Sequence, residues 1–196
     1  NRVRIGRPTA TDIQVLNKGA SANDSEFGGV ELFGKNLSVD EANENKLMKL
    51  GTRIHTLTAR WIPNLELRGT PLRLVNPEYD LRESVPRDLR IGKNAKVIFI
   101  RNDERKRWVN GTQGVVTEIE RQRIRVRTES GGLVCVEPVD FEIRELVDFG
   151  IYQGKRSIFT GVTGWIRQYP LRLGWAITVH KSQGLTLNYA DLEFED

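Results

Sequence analysis

A cluster of polar side chains late in the sequence has the chemistry needed to hold a phosphate. Its members are Thr178, His180, Lys181, Ser182, Gln183 and Gly184. Hydroxyl, imidazole and ammonium groups donate hydrogen bonds to phosphate oxygens, and a glycine lets the backbone approach them closely. The apolar spacing of residues 170–183 predicts a helix with Pro170 at its first position, stopped by Gly184. The cluster therefore has a second interpretation as a capped helix end, where Lys and His favour the negative pole.

A second cluster combines positive charge with an aromatic ring on one predicted hairpin. It consists of Arg101, Arg105, Lys106, Arg107 and Trp108. Cations bind backbone phosphates and an indole ring stacks on a base, which favours a contact with single-stranded DNA. The alternative is a solvated turn in which Trp108 is half-buried against the neighbouring strands.

Alternation along a predicted strand places four further arginines on one face. They are Arg121, Arg123, Arg125 and Arg127. This face could meet DNA, or it could be the exposed charge of an edge strand that blocks further sheet pairing. The aromatic residues Trp165, Tyr169 and Trp175 fit core or interdomain packing better than base stacking. His55 has no cysteine or acidic partner at metal-binding spacing, so we interpret it as structural and predict no zinc site.

The composition is that of a folded, mildly basic protein. The 196 residues are 38% hydrophobic and 29% charged, and the net charge of +4 with a pI near 9.3 suits a polyanionic partner. No run of about 18 apolar residues occurs, so no membrane span is predicted. The single Cys135 suits a reducing, cytoplasmic location. Because the chain opens on Asn1 without a signal peptide, we expect a piece of a longer protein.

The elements that must position these clusters begin and end with an α/β pattern. A short helix is predicted after Pro8, followed by a strand at 30–33, a helix at 36–50 and a strand at 52–62. This order predicts a parallel pair of strands with the helix packed on one face. A hairpin around Gly161, the helix at 170–183 and a last strand at 188–193 close the sequence.

Between these parts the pattern changes to short strands separated by turn residues. Four strands are predicted, at residues 95–101, 114–120, 123–129 and 133–138, with the spacing of a small antiparallel barrel. We therefore expect residues 30–62 and 165–195 to share one α/β sheet that the barrel interrupts.

The stretch from Ala176 to Gly184 reads Ala-Ile-Thr-Val-His-Lys-Ser-Gln-Gly and is preceded by Pro-Leu-Arg-Leu. It closely resembles the fifth conserved motif of superfamily 1B helicases of the PIF and RecD type. The resemblance implies that Thr178 and His180, with Lys181 beside them, lie along the DNA backbone of a second motor domain.

The resemblance also assigns the other end of the motif. It implies that Gln183 and Gly184 lie toward a nucleotide cleft. Arg105, Arg107 and Trp108 would extend the track for single-stranded DNA onto the barrel.

Two further stretches resemble the same family in order and spacing. Residues 89–103 and 108–116 look like the opening of its SH3-like insert, and Asn110-Gly111 is also a hairpin-turn signal in its own right. Residues 36–47, with Asp40, Asn43 and Asn45, resemble the helix after the first strand of the second motor domain.

The resemblance thus implies an α/β, RecA-like second motor domain interrupted by an antiparallel SH3-like barrel. Residues 1–91 would form its first part with an N-terminal helix, 92–146 the insert, and 147–196 the remainder.

The motifs that cleave ATP are absent from the sequence. No Gly-x-x-x-x-Gly-Lys-Ser/Thr loop occurs, and no paired acidic segment follows a strand to hold magnesium. In the family both belong to the first motor domain, and an arginine-bearing sixth motif would follow Asp196. We therefore expect ATP and Mg as cofactors of a full-length 5′–3′ helicase, with single-stranded DNA and a missing N-terminal motor domain as partners. The chain alone is expected to bind no nucleotide firmly and to hydrolyse none.

Two other functions compete with this interpretation. A stand-alone SH3-like nucleic-acid-binding module would fit the glycine and valine spacing after Asn110, but such modules do not carry a segment like 170–187. An unrelated enzyme would need a nucleophile–base pair or a metal site, and the sequence shows neither.

Overall fold

The computed structural model describes residues 9–11, 29–64, 85–152, 155–183, 185 and 190–192. Within them lie two helices and thirteen strands. The helices are α1 (Asn36–Lys49) and α2 (Val179–Ser182). The strands are β1 (Val30–Phe33), β2 (Ile54–Thr58), β3 (Arg60–Pro63), β4 (Asp88–Gly92), β5 (Lys96–Phe99), β6 (Gln113–Ile119), β7 (Ile124–Thr128), β8 (Leu133–Val136), β9 (Val139–Tyr152), β10 (Lys155–Gln168), β11 (Leu171–Leu173), β12 (Ala176–Thr178) and β13 (Ala190–Leu192).

A parallel sheet in the order β12-β1-β13 joins segments far apart in the sequence. Leu32 lies opposite Ile177 on one side and Leu192 on the other. Buried Val30, Leu32 and Ile177 form its core together with Ile98 of β5. The predicted union of the strand at 30–33 with the last part of the chain is therefore confirmed.

The second half of that expectation is wrong, because residues 52–62 do not join this sheet. They form two strands, of which β2 pairs antiparallel with β4 and β3 pairs antiparallel with β10. The physical reason is that β12 and β13 occupy both edges of β1, which leaves no place there for a strand that follows α1.

An antiparallel sheet in the order β11-β5-β6-β7-β8 holds the predicted short strands. Its buried face packs with α1 and β4 around one core. The core residues are Leu47, Leu89, Ile91, Ala95, Val97, Phe99, Trp108, Val116, Ile124, Val126, Val136, Tyr169 and Leu171. Tyr169 is thus core, as predicted, and Trp175 packs against the same cluster. Cys135 lies in β8, where it is partly buried and free of a disulfide.

The helix predicted over 170–183 is wrong. β11 pairs antiparallel with β5 and β12 pairs parallel with β1, so a helix is confined to the single turn α2. Gly174 separates the two strands, and a Cβ there would lie 2.8 Å from Cγ1 of Ile98. Distant pairing partners therefore override an apolar spacing that also fits a helix.

The hairpin predicted around Gly161 is also wrong, because Gly161 lies inside β10 and pairs with Glu145. The partner of β10 is β9, and the two form a long antiparallel ladder. β9 extends through the proposed boundary between residues 146 and 147, where its register against β10 shifts by one residue.

Three smaller predictions concern single features. Ala10 and Thr11 are helical, and the rest of the predicted N-terminal helix lies outside the described residues. No helix of the described part is long and apolar enough to cross a membrane. In the same part of the chain, no group of three His, Cys, Asp or Glu side chains could hold a metal.

Candidate functional site

Thr178 ends β12 and starts the turn that carries the polar cluster. Its side chain is buried, and its hydroxyl oxygen accepts a hydrogen bond from the backbone N–H of Lys181 at 3.3 Å. This is an N-cap, which fixes the direction in which α2 leaves the sheet. Thr178 was predicted as a phosphate contact; in the structure it is buried and caps the turn, so the exposed residues after it are the better candidates for that contact.

The next residues form one exposed helical turn. His180 and Gln183 are exposed, and the N–H of Gln183 donates to the carbonyl of His180 at 3.3 Å. Lys181 reaches the side-chain oxygen of Asn36 at the start of α1 at 3.2 Å. Four predicted site residues, Thr178, His180, Lys181 and Gln183, are therefore together on the turn that leaves β12, while Gly184 lies outside the described residues.

Asn43 on α1 holds the strand that carries this turn. Its amide nitrogen donates to the carbonyl of Ala176 at 2.8 Å, and its amide oxygen accepts from the N–H groups of Ala176 at 3.0 Å and Trp175 at 3.2 Å. Asn43 thereby makes the backbone hydrogen bonds that a neighbouring strand would make, along the edge of β12 that is not paired with β1.

Sequence reasoning assigned no such role to Asn43. The available signal is its position between Val39 and Leu47, because these three residues are four positions apart and all are buried. A polar residue in the middle of an apolar helix face requires a buried hydrogen-bond partner.

The basic cluster lies elsewhere, in the connection between β5 and β6. Asp103 organises it, because its carboxylate accepts from the backbone N–H groups of Arg105 and Arg107, both at 3.1 Å. The Arg107 guanidinium adds two parallel bonds to the same carboxylate, at 2.8 and 2.7 Å. This bidentate pair fixes the conformation of the loop, in which Arg105 is exposed.

Trp108 is not available to a nucleic-acid base. Its ring is 6% exposed, stacks on Phe99 at 4.6 Å and has the Arg107 guanidinium 4.5 Å above it. Its indole N–H donates to the carbonyl of Arg101 at 3.1 Å. The proposed base stacking is therefore wrong, and packing against the sheet is the better interpretation, more buried than expected.

Arg107 has also committed most of its donors. Besides Asp103, it donates to the carbonyl of Cys135 at 3.1 Å. A cavity of about 380 Å³ beside it is lined by Arg105 and Arg123 as well as by Asp103 and Glu137. Arg105 is thus the better candidate for an outward phosphate contact.

Of the four alternating arginines, Arg125 and Arg127 lie in β7, which is not a sheet edge because it is paired with both β6 and β8. Arg123 pairs with Glu137 at 3.0 Å, and Arg125 pairs with Glu120 at 2.8 Å and Glu118 at 3.2 Å. The pair of Arg125 with Glu118 joins opposite residues of β7 and β6, and the other two pairs lie at the ends of the strands. The edge-strand interpretation is wrong, and the charges of Arg123 and Arg125 are matched locally.

The hydrogen bond from the Arg107 guanidinium lowers the pKa of Asp103 from 3.8 to about 2. A carboxyl whose pKa falls on folding stabilises the fold above its unfolded pKa, and this stabilisation is lost as the pH drops from about 4 toward 2. We expect Asp103→Asn to lower the unfolding free energy at pH 7 by about 1 kcal/mol, since Arg107 is partly exposed and water competes for it. Urea denaturation at pH 7, 4 and 2.5 measures this.

The matched control is Glu104→Gln, which removes the same charge from the exposed next residue. The Asp103→Asn protein should lose less stability than the wild type between pH 4 and 2.5. Equal losses of stability in Asp103→Asn and in the wild type over this pH range would contradict the assignment of the low pKa to Asp103.

One stretch comes near to a phosphate-binding loop. Gly29, Gly34 and Lys35 have the glycine and lysine spacing, but Asn36 stands where a serine or threonine would bind magnesium. Residues between the two glycines form β1, whose backbone pairs with β12 and β13. A strand with both edges paired cannot wrap around a phosphate.

No protein-family model matches the sequence. Among curated proteins, the ATP-dependent DNA helicase Pif1 of Bdellovibrio bacteriovorus is 30% identical over 194 residues, which cover 95% of this chain and 38% of that protein. The ATP-dependent DNA helicase Pif1 of Campylobacter jejuni is 29% identical over 163 residues, covering 80% and 34%. The chain therefore spans less than two fifths of the length of these relatives.

Solved structures of similar fold point to the same group. Pif1 from Bacteroides sp. in complex with ADP-AlF4 superposes with a TM-score of 0.69 at 24% identity, over 98% of this chain and 41% of that one. Bacteroides Pif1 bound to single-stranded DNA gives 0.64 at 23%, again over 98% and 41%. Pif1 from Candida albicans gives 0.65 at 20%, over 98% and 45%. At these identities the likeness establishes the α/β fold.

Proposed function

Because this chain belongs to the Pif1-like family of superfamily 1B helicases, we propose that it forms the second motor domain of an ATP-dependent DNA helicase. In that role it contacts single-stranded DNA and lines one side of the nucleotide cleft. The observation that carries the proposal is the turn after β12, where a buried cap and a buried asparagine clamp hold His180 and Gln183 exposed.

The DNA side of the proposal consists of the α2 turn and the basic loop. His180 and Lys181 provide donors for phosphate oxygens at the end of a sheet strand, and the buried Thr178 caps the turn that presents them. Arg105 extends this track, with Arg107 as a weaker contact because Asp103 already holds it. The mild positive charge of the chain supports such a track.

The nucleotide side consists of Gln183 and Gly184. ATP and Mg are proposed to bind mainly to a first motor domain, which would supply the phosphate loop and the metal ligands. A closed cleft then needs both domains, and movement along the strand is proposed to run 5′ to 3′, as the resemblance implies.

Within the chain, we retain the proposed organisation with an SH3-like insert at 92–146, flanked by 1–91 and 147–196. The antiparallel order of β5 to β8 supports a small barrel there. The alternative function, a stand-alone SH3-like module, is weakened by β11, because the sheet takes its edge strand from the motif segment itself.

His180→Ala tests the proposal in the full-length protein. It should weaken binding of single-stranded DNA about fivefold, which corresponds to the loss of one phosphate contact. Nucleotide affinity should stay unchanged, because the phosphate loop is untouched. Titrations with a labelled oligonucleotide and with a fluorescent nucleotide measure both quantities.

The matched control is His55→Ala, which removes the other histidine of the chain from β2. It should leave DNA and nucleotide binding as in the wild type. If His180→Ala abolishes nucleotide binding while the DNA affinity is unchanged, then His180 serves the cleft and the proposed DNA contact is wrong.

A further inference from the structure

Strand β5 is shared by two cores. Val97 and Phe99 belong to the core of the antiparallel sheet, while Ile98 between them packs with Val30, Leu32 and Ile177 under the parallel sheet. Alternation along a strand produces this division, because successive side chains point to opposite faces. The antiparallel sheet is therefore packed directly under the strands that carry the α2 turn.

The Asn110-Gly111 turn, in the connection between β5 and β6, extends this packing to the end of the motif. Gly111 has φ +92°, and its N–H donates to the carbonyl of Phe99 at 2.8 Å. The N–H of Asn110 donates to the side chain of Asn102 at 2.7 Å, which fixes the turn from its other side. A Cβ at Gly111 would lie 2.8 Å from Cδ2 and 3.3 Å from Cβ of Leu185.

Leu185 in turn is tied to the proposed site. Its N–H donates to the carbonyl of Ser182 at 3.1 Å, and its side chain packs on the core of Val30, Leu32, Ile98 and Ile177. It comes two residues after Gln183. A displacement of Leu185 therefore moves the residues that the proposed function assigns to the nucleotide.

We infer that the Asn110-Gly111 turn is a seat that positions the Gln183 end of the motif through Leu185, so that the antiparallel sheet sets the geometry of the nucleotide-facing residues. This inference rests on the proposed function. Gly111 is a positioning residue, because it acts through Leu185. Position 111 requires a glycine for two reasons. Its φ is positive, and a Cβ there would enter the space that Leu185 occupies.

Gly131 offers a matched control for the backbone requirement. It has φ +86° in the turn between β7 and β8, and a Cβ there would meet nothing within 4 Å. Gly131→Ala therefore introduces the same backbone strain without a clash, whereas Gly111→Ala introduces both.

The experiment compares Gly111→Ala, Gly131→Ala, Leu185→Ala and the Gly111→Ala/Leu185→Ala double variant in the full-length protein. Gly111→Ala should weaken binding of a fluorescent nucleotide about tenfold, on the scale of a small displacement of a positioned group. Gly131→Ala should bind as the wild type does. The double variant should bind more tightly than Gly111→Ala alone, because alanine at 185 removes Cδ2, the atom that would lie nearest to the added Cβ.

Hydrogen–deuterium exchange gives a second readout that needs no nucleotide. Peptides covering residues 179–187 should exchange about tenfold faster in Gly111→Ala, and at the wild-type rate in Gly131→Ala. Equal behaviour of the two glycine variants in exchange would overturn the seat, as would additive effects in the double variant. A wild type that binds no nucleotide would refute the proposed function, while the exchange result would still decide the seat.

Discussion

Purified by itself, the chain is expected to release no phosphate from ATP, with or without single-stranded DNA. The reason is chemical, because phosphoryl transfer requires a phosphate-binding loop and magnesium ligands. The sequence contains no complete loop motif, and its nearest match, residues 29–36, ends on Asn36 and is largely a paired strand. A phosphate-release assay at millimolar ATP measures the rate, with the full-length protein as the positive reference.

A trace of contaminating ATPase could release phosphate and imitate activity of the chain. Substitutions in the chain distinguish the two sources. Contaminant activity does not respond to changes in this chain. DNA-stimulated phosphate release that disappears on Gln183→Ala would belong to the chain itself and would contradict the assignment of the cleaving half to another domain.

The antiparallel strands could be predicted because their signals are local. Turn residues bound each strand, Asn110-Gly111 marks one turn, and apolar residues alternate along β7 at Ile124 and Val126. The structure places a turn with a positive φ at Gly111, but Asn110 does not share it, so the two-residue hairpin that this signal predicts is not formed and the turn lies within the longer connection between β5 and β6. Short-range chemistry was sufficient for this part of the fold.

The segment 170–183 could not be predicted in the same way. Its leucines and its Ala176–Ile177 pair fit one face of a helix as well as two short strands, and periodicity alone does not separate these possibilities. The segment forms strands because β5 and β1, which are far away in the sequence, pair with it. The secondary structure of this segment was therefore set by tertiary pairing with distant strands.

The charged clusters show a similar limit. The sequence displays Arg107 as a cation, but whether it faces a phosphate depends on Asp103, which is four residues away and binds it on both oxygens. Arg123 and Arg125 are likewise paired, with Glu137 and Glu118 respectively. A cluster of arginines in a sequence therefore indicates a nucleic-acid-binding surface only where the side chains are not already paired with acidic residues of the same chain.

Asn43→Ala is expected to have the largest effect on stability of any single substitution considered. The change removes three hydrogen bonds and leaves the N–H and the carbonyl of Ala176, a buried residue, without these partners. An unsatisfied buried polar group costs about 1–3 kcal/mol, so we expect a loss of about 2–4 kcal/mol in unfolding free energy. Urea denaturation monitored by tryptophan fluorescence measures it, since Trp175 adjoins the clamp.

Two variants make the test specific to the hydrogen bonds. Asn45→Ala, on the exposed side of α1, should change stability by no more than about 0.5 kcal/mol. Asn43→Asp keeps an acceptor for the N–H groups but cannot donate to the Ala176 carbonyl when ionised, and it buries a charge, so it should be at least as destabilised as Asn43→Ala near neutral pH. If Asn43→Ala and Asn45→Ala unfold at the same urea concentration, the amide clamp does not hold β12. The exposed turn with His180 would then depend on the sheet pairing alone, because β1 is the neighbouring strand that remains to fix Ala176 and Thr178 in place.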